Sequence, residues 1–322
     1  MIPFMRWMAM HRRPLEQRLQ EADLGYMMFI DPNQPVPLRN VAQFFTNAAR
    51  DEGPDIGCRI VSESTLTELA FIGRVVLGAT TPAHALKRVV AMMSYHSSHE
   101  TVTLRQTPNS IVVGEGWTIW LDDQTLHTIH QFFASIIRMM CSLTRTSDPL
   151  LQKIEMVPHP ELGFEHLEKW FNVPPEPSDD RSVRITIDRT IADRRFFRIA
   201  RDRSDGVIAP GIEPLLGDGS LSNSVKTVLA LHLSEGLPSV SRLAVSAGLS
   251  RRTLQRQLAA EGTSFSDLLE QVRREIALQH LEGDRGSLDD VAAKLGYARQ
   301  STLTRAVRRW TGQTPSTVRK GA

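Results

Sequence analysis

The 322-residue sequence is poor in cysteine, in tyrosine and in long apolar runs. Its two cysteines, Cys58 and Cys141, exclude a disulfide framework and a cysteine-rich zinc site, and they are typical of a protein in the reducing cytoplasm. The apolar start of the chain is broken by Arg6 and ended by Arg12 and Arg13, so it is too short for a membrane span and lacks the order of a secretory signal. We expect an amphipathic first turn or a disordered start there, and no membrane partner.

Chemical motifs of enzymes are also missing from the sequence. It has no grouping of a nucleophile with a base, no glycine loop for phosphates and no metal motif. Five histidines include pairs three residues apart, but no acidic or cysteine ligands accompany them at metal spacing: His84, His96, His99, His127 and His130. The sequence therefore predicts no enzyme, no catalytic cofactor and no metal site.

The net charge of +2 conceals an uneven distribution. From Gly217 to the end, the chain has 15 Lys and Arg against 10 Asp and Glu, whereas the preceding part has 23 against 26. A basic excess in one segment is expected of a domain that neutralises phosphates. Duplex DNA is thus predicted to bind the C-terminal third.

One short pattern occurs twice in this basic segment, 48 positions apart, starting at Ser239 and at Ser287. Each copy has an apolar helical period, then a glycine, Gly248 or Gly296, and then a polar, basic helix. An apolar helix, a glycine turn and a basic helix are the signature of a helix-turn-helix motif, whose second helix enters the major groove. Two copies in register predict two DNA-reading units in one chain.

The remaining patterns predict an α+β chain of two domains. Residues 1–205 read as a helix-rich α+β domain for sensing or dimerisation, and residues 206–219 form a Gly- and Pro-rich linker. Residues 220–322 read as an all-α domain. Helices are predicted at 37–51, 66–77, 82–94 and 126–144 in the first domain and at 221–234, 251–260, 264–281 and 299–310 in the second, with a hairpin at 101–116, further strands at 150–157 and 182–189, and a loop at 173–182.

From Leu221 onwards the sequence resembles the DNA-binding domain of the AraC/XylS family of bacterial transcription regulators. The strings LAVSAGLSRRTLQRQLAAEGTSFSDLLEQVRREIALQHL and RRWTGQTPSTVRK carry this resemblance, and GRVVLGATTPAHALKRVVAMMSYH resembles the sensing domain of one AraC-like branch. The resemblance implies a cytoplasmic, nucleoid-associated regulator that binds double-stranded promoter DNA, forms a homodimer and contacts RNA polymerase. It also implies an effector or dimerisation role for the N-terminal domain.

The resemblance assigns DNA contacts to the exposed starts of the two reading helices. Arginine can grip a guanine with its planar fork, glutamine can pair with adenine, and hydroxyls can serve base or phosphate. The first helix offers Arg251, Arg252, Thr253, Gln255 and Arg256, and the second offers Arg299, Gln300, Ser301, Thr304 and Arg305. For any single arginine, a phosphate contact or a solvated face is the alternative. Ala298 stands where the family has a capping serine, so we expect the second reading helix to begin less firmly.

Five arginines lie within ten residues just before the linker, in DRRFFRIARDRSDG. The stretch resembles the cyclic-di-GMP signature of PilZ domains, although its second half is one residue short and follows the arginines directly. The resemblance implies an anionic effector, cyclic-di-GMP, held by Arg194, Arg195, Arg198, Asp202 and Ser204. Guanidinium forks suit both the phosphates and the guanine edges of such a nucleotide.

Alternatives remain open for this cluster and for the whole chain. The arginines could instead contact DNA, pair with acidic residues such as Asp179, Asp180 and Asp188, or stay solvated while Phe196 and Phe197 pack in the core. The chain could have another effector or none, or be an architectural DNA binder. An AraC-like alkyl-transfer repair enzyme is disfavoured, because such enzymes need a reactive cysteine cluster near the N-terminus.

Overall fold

The computed structural model describes residues 1–28, 35–62, 65–197, 215, 220–233, 239–282 and 287–321. By their contacts they fall into two compact units. The first unit comprises Met1–Gly25 and Asn40–Leu216, and the second comprises Tyr26–Arg39 and Gly217–Ala322. The second unit thus includes a short segment from the N-terminal half, which a division into consecutive domains does not foresee. Of the linker proposed at 206–219, only Leu215 lies within the described residues.

In the described residues up to 192, the chain forms nine helices and five strands. Helices α1–α9 are, in order, Ile2–Met10, Leu15–Glu21, Leu38–Glu52, Ile56–Arg59, Thr65–Glu68, Ala70–Leu77, Pro82–Met92, Asp123–Ser142 and Arg189–Ala192. Strands β1–β5 are Glu100–Gln106, Ser110–Trp117, Lys153–Met156, Glu176–Pro177 and Val183–Asp188. Short 3₁₀ turns occupy Gly25–Met28, Met93–Tyr95 and Glu165–Leu167.

The five strands form one sheet in the order β1-β2-β5-β3-β4. β1 and β2 are a tight antiparallel hairpin in which Gln106 pairs with Ile111. β5 pairs antiparallel with both β2 and β3, and the two-residue β4 pairs parallel with β3. Ile111, Val113, Val183, Ile185 and Ile187 alternate along β2 and β5 and are fully buried, so one face of the sheet supports the core.

The helices that cover this face begin at side-chain caps. Thr81 accepts a hydrogen bond from the backbone N–H of His84 at 3.1 Å, and Pro82 occupies the first helical position of α7. Asp122 accepts from the N–H of Thr125 at 2.9 Å at the start of α8. The helices, the sheet and the hairpin together confirm the predicted α+β class of the first domain.

The second unit is helical throughout its described residues apart from turns. Helices α10–α16 are Leu221–His232, Val240–Ser246, Arg251–Ala260, Phe265–Glu282, Leu288–Lys294, Gln300–Thr311 and Pro315–Gly321. One apolar cluster gathers α10–α12 with the first half of α13. A second gathers the end of α13 with α14 and α15. Each helix-turn-helix motif thus has a core of its own, and α13 contributes to both.

Four local predictions differ from the structure, and one of them is the loop predicted at 173–182, which contains the two-residue strand β4. The start of the chain is helix α1 rather than a single turn or a disordered stretch, because Phe4, Trp7 and Met8 bury one face. The helix predicted at 66–77 is interrupted at Leu69, which separates α5 from α6. The second reading helix begins at Gln300, one residue later than predicted. Among the described residues, none of the helices combines the length and apolar character that crossing a bilayer requires.

Candidate nucleic-acid interface and effector cluster

The first helix-turn-helix motif is α11, a glycine turn and α12. Ser239 caps α11 by accepting from the N–H of Arg242 at 3.1 Å. Gly248 has a φ of 68°, a left-handed conformation that glycine adopts without a steric penalty. Ser250 then caps α12 by accepting from the N–H of Thr253 at 3.1 Å. Local sequence therefore fixes both the angle of the turn and the first residue of the reading helix.

The second motif is α14, an equivalent turn and α15. Ser287 and Asp290 form a capping box: the Ser287 hydroxyl accepts from the Asp290 N–H at 3.1 Å, and the Asp290 carboxylate accepts from the Ser287 N–H at 3.2 Å. Gly296 has a φ of 70°. Arg299 occupies the N-cap of α15 in an extended conformation and provides no side-chain cap. The cap position is thus Arg299 rather than Ala298, and the helix begins without a side-chain cap.

The proposed contacts of the first motif lie at the start of α12. Arg251, Arg252, Gln255 and Arg256 are exposed, while Leu254 and Leu258 are buried in the core. Thr253 is half-buried, and its hydroxyl lies 2.9 Å from that of Ser250. The basic face is therefore free to meet DNA, whereas Thr253 is engaged at the helix start.

The residues of the second motif that are proposed to contact DNA differ more in their exposure. Arg299, Ser301 and Arg305 are exposed, and Gln300 and Thr304 are half-buried. The Thr304 hydroxyl donates to the carbonyl of Gln300 at 3.1 Å, so only its lone pairs remain available. Arg299 is the N-cap residue and so precedes helix α15, whereas Arg251 is the first residue of α12.

Some of the basic side chains in this unit make contacts within the fold. Arg273 on α13 donates to the carbonyl of Leu295 at 3.0 Å, and its guanidinium stacks 4.4 Å from the ring of Tyr297. Arg309 pairs with Glu270, which also accepts from the indole N–H of Trp310 at 2.8 Å. No role is assigned to these residues from the sequence, because Arg273 and Glu270 lie more than twenty positions from the residues that they contact.

The arginine cluster follows α9 in the first unit. Arg194 and Arg195 are exposed and pair with no acidic group of the described residues. Phe196 packs against the core, and Phe197 lies half open to solvent with the guanidinium of Arg145 4.1 Å from its ring centre. The structure thus adds Arg145, which lies far away in sequence, to the exposed cations. Arg198, Asp202 and Ser204 lie outside the described residues.

The acidic residues that could have neutralised these arginines have other partners. Asp180 accepts from Arg184 at 2.7 Å and from Ser182 at 2.6 Å. Asp188 caps α9 and accepts from Gln152 at 2.7 Å. Within the described residues, an ion-pair role for Arg194 and Arg195 is therefore not supported.

His127, His159 and His166 form a cluster. Nδ1 of His127 donates to the Val157 carbonyl at 2.8 Å, Nε2 of His127 lies 2.8 Å from Nε2 of His166, and His159 packs edge-on against His127. Burial lowers the pKa of His127 to about 4 and that of His130 to about 3, so both rings are neutral at physiological pH. No group of three or more ligands that could hold a metal ion occurs in the described part of the chain.

Two consecutive helix-turn-helix motifs with basic reading helices define a DNA-binding protein, here preceded by a separate α+β unit. Residues 243–321 match the helix-turn-helix domain model, and residues 14–196 match the N-terminal arabinose-binding domain of the AraC transcription regulator. The second match covers more than half of the chain. The chain therefore belongs to the AraC family of transcription regulators and has a DNA-binding domain and an N-terminal ligand-binding domain.

Several curated proteins are similar. The transcriptional regulator VirS of Mycobacterium tuberculosis is 40% identical over 105 residues, which is 33% of this chain and 31% of VirS. The chain thus spans about a third of the length of VirS. An uncharacterized regulator of the same species, Rv1395, is 24% identical over 280 residues, 81% of this chain and 77% of that protein. Both relatives are transcription regulators, the class of protein that the sequence predicts.

Among solved structures, the transcriptional regulator CdpR of Pseudomonas aeruginosa covers 94% of this chain and 97% of its own, at 19% identity and a TM-score of 0.41. A DNA-binding dual regulator of Escherichia coli covers 32% of this chain at 27% identity and a TM-score of 0.30. The family assignment rests on the two domain matches.

Proposed function

We propose that this chain reads two adjacent major-groove segments of promoter DNA and does so under the control of a small anionic effector. Two reading helices, α12 and α15, support the proposal that the chain reads DNA. Each follows a glycine turn and has exposed arginines at its start. The connecting helix α13 has 18 residues and so spans about 27 Å at ~1.5 Å per residue. With its flanking turns, that length approaches the ~34 Å between successive major-groove faces on one side of the duplex.

The experiment uses duplexes that the native chain itself selects from a random library. In a shift assay at fixed salt, Arg251→Ala and Arg299→Ala should each weaken binding by ~1–3 kcal/mol if each arginine reads a base. Arg50→Ala, which removes an exposed arginine of α3, is the matched control and should leave the affinity unchanged. Unchanged binding in both reading-helix variants would contradict the model of two reading units.

We further propose cyclic-di-GMP as the effector, bound through the arginine cluster and favouring a homodimer. The exposure of Arg194 and Arg195 supports this, as does the guanidinium of Arg145, which lies 4.1 Å from the ring centre of Phe197. Guanidinium groups bind phosphates with paired hydrogen bonds and stack on base planes. An effector that binds more tightly to the arrangement competent for DNA binding would increase the population of that arrangement. Contact with RNA polymerase at the promoter belongs to the same proposal.

Calorimetry tests the effector. The native chain should release or absorb heat on titration with cyclic-di-GMP, and Arg194→Ala or Arg198→Ala should abolish that binding. Arg50→Ala should bind as the native chain does. Size-exclusion chromatography with and without the nucleotide then reports whether the dimer depends on it. Absence of heat with the native chain would end the cyclic-di-GMP proposal and leave the DNA-binding proposal untouched.

A further inference from the structure

A segment of the N-terminal half belongs to the unit that carries the reading helices, since Tyr26–Arg39 and Gly217–Ala322 form one compact unit. Tyr26 is 1% exposed, and its ring packs edge-on against that of His232 in α10, with the ring centres 4.7 Å apart. Arg39 ends this segment, in the first turn of α3, and is its only lysine or arginine. The segment therefore brings one cation of the N-terminal half into the DNA-reading unit.

The side chain of Arg39 lies on the turn of the first helix-turn-helix motif. A Cβ atom placed on Gly248 would collide with the Nε, Cζ and Nη2 atoms of Arg39, so the guanidinium covers the bare Cα of this glycine. Gly248 precedes Arg251, the first residue of α12, by three positions. Because the N-terminal residues of a reading helix enter the major groove, the turn before them lies at the edge of the groove, where the phosphates are.

The guanidinium of Arg39 is available to a partner outside the chain. The residue is exposed, and within the described residues it makes no hydrogen bond and no ion pair. The first turn of α3 has no acidic residue, and the N-terminal end of a helix disfavours a cation, so the helix itself gains nothing from an arginine at this position. The planar fork of N–H donors matches the oxygens of a phosphate.

The second motif shows an arginine that does hold a turn. Arg273 lies against the turn of that motif, donates to the Leu295 carbonyl at 3.0 Å and stacks 4.4 Å from the ring of Tyr297. Arg39 makes no such bond, and the first turn is already defined by the left-handed Gly248 and the serine cap that follows it. A role in holding the turn therefore does not account for the position of Arg39.

We propose that Arg39 binds a backbone phosphate of promoter DNA at the edge of the groove segment that α12 reads. The N-terminal half of the chain thereby contributes directly to DNA affinity, through a contact that carries no base-sequence information. This inference rests on the proposed DNA reading by the two motifs and adds a contact from outside them.

Salt titrations of DNA binding test this contact, with a duplex that the native chain selects from a random library. Arg39→Gln removes the charge and should weaken binding about three- to tenfold at fixed salt. It should also reduce the slope of log affinity against log salt concentration by about 0.9, because one phosphate contact fewer releases fewer counterions. Both effects should be equal on the selected duplex and on a duplex of unrelated sequence. Arg50→Gln, which removes an exposed arginine near the other end of α3, should change neither.

Phosphate ethylation locates the contact. The native chain should lose affinity when one phosphate beside the groove segment of α12 is ethylated, whereas Arg39→Gln should be insensitive to ethylation at that position. Arg39→Lys keeps the charge and should retain the native salt slope, since lysine binds phosphate as a point charge. If Arg39→Gln loses affinity with an unchanged salt slope, Arg39 only positions the turn and the proposal is wrong.

Arg251→Ala in the same assay separates this inference from the DNA-reading proposal. If Arg39→Gln binds as the native chain does while Arg251→Ala loses affinity, the phosphate contact is wrong and the reading proposal stands. If the native chain selects no duplex, the reading proposal fails, and the contact of Arg39 fails with it.

Discussion

The two helix-turn-helix motifs have the same outline but are stabilised differently. In the first, a left-handed Gly248 and the Ser250 cap define the turn and the start of α12 through neighbouring residues alone. In the second, Gly296 has the same left-handed conformation, but Arg299 leaves the start of α15 without a side-chain cap. The first motif is thus determined by neighbouring residues, and the second also depends on contacts with residues outside it.

These contacts come from the connecting helix α13. Arg273 of α13 binds the Leu295 carbonyl and stacks on Tyr297, which holds the turn of the second motif from outside. Glu270 of the same helix binds both Trp310 and Arg309 at the far end of α15. α13 therefore does more than separate the two reading helices. It also stabilises the second motif, whose reading helix has no side-chain cap of its own.

The largest expected effect on stability comes from substitutions in the apolar cores of the two motifs. Leu254 in α12 and Leu303 in α15 occupy matching positions, and both are fully buried, in different apolar clusters. Leu254→Ala and Leu303→Ala should each lower the free energy of unfolding by ~2–5 kcal/mol, because each leaves a cavity. Hydrogen exchange should show lost amide protection chiefly in the motif that carries the substitution.

Leu162→Ala is the control, since this leucine of the first unit is 44% exposed and its truncation should cost ~0.5 kcal/mol or less. Equal loss of protection in both motifs from either core variant would mean that the two clusters unfold as one, and the distinction between them would fail.

Periodicity and turn chemistry were sufficient to predict most of the second unit. The caps at Ser239, Ser250 and Ser287 and the glycine turns are local signals, and the structure has each of them. The start of α15 was misplaced by one residue, because alignment of the repeats carried the Ser250 position onto Ala298. No local signal predicts the contacts of Arg273, since its partners lie over twenty residues away.

The sites in the first unit were less accessible to sequence reasoning. Arg194 and Arg195 stand out as a run, but Arg145 joins them only through packing on Phe197. The burial of Glu115 on β2 is not foreseen, since strand alternation shows which face a residue takes but not that the face is closed to solvent. Burial of charge is a tertiary property, and only the folded sheet reveals it.

A smaller effect tests the difference in capping directly. Ser250→Ala removes the side-chain cap of α12 and should destabilise the second unit by ~1 kcal/mol. Arg299→Ser supplies a cap where α15 has none and should stabilise it by a similar amount, even though it removes a proposed DNA contact. Chemical unfolding measures both, with Ser301→Ala, inside α15, as the control. The same sign for both substitutions would contradict the difference between the two helix starts.

The smallest effect concerns the first helices of the two motifs. Hydrogen bonds from the Ser287 hydroxyl and N–H hold the pKa of Asp290 below its ordinary value of 3.8, whereas Arg242 takes the matching position in α11. A carboxyl group whose pKa is lowered by folding stabilises the helix above its ordinary pKa and loses that contribution as the pH falls through the lowered value. Acidification below about 3.8 should therefore expose the Ser287 amide to exchange while the Ser239 amide changes less. Asp290→Asn should abolish this pH dependence, and the neighbouring Asp289→Asn should preserve it; a response that persists in Asp290→Asn would show that the capping box does not determine where α14 begins.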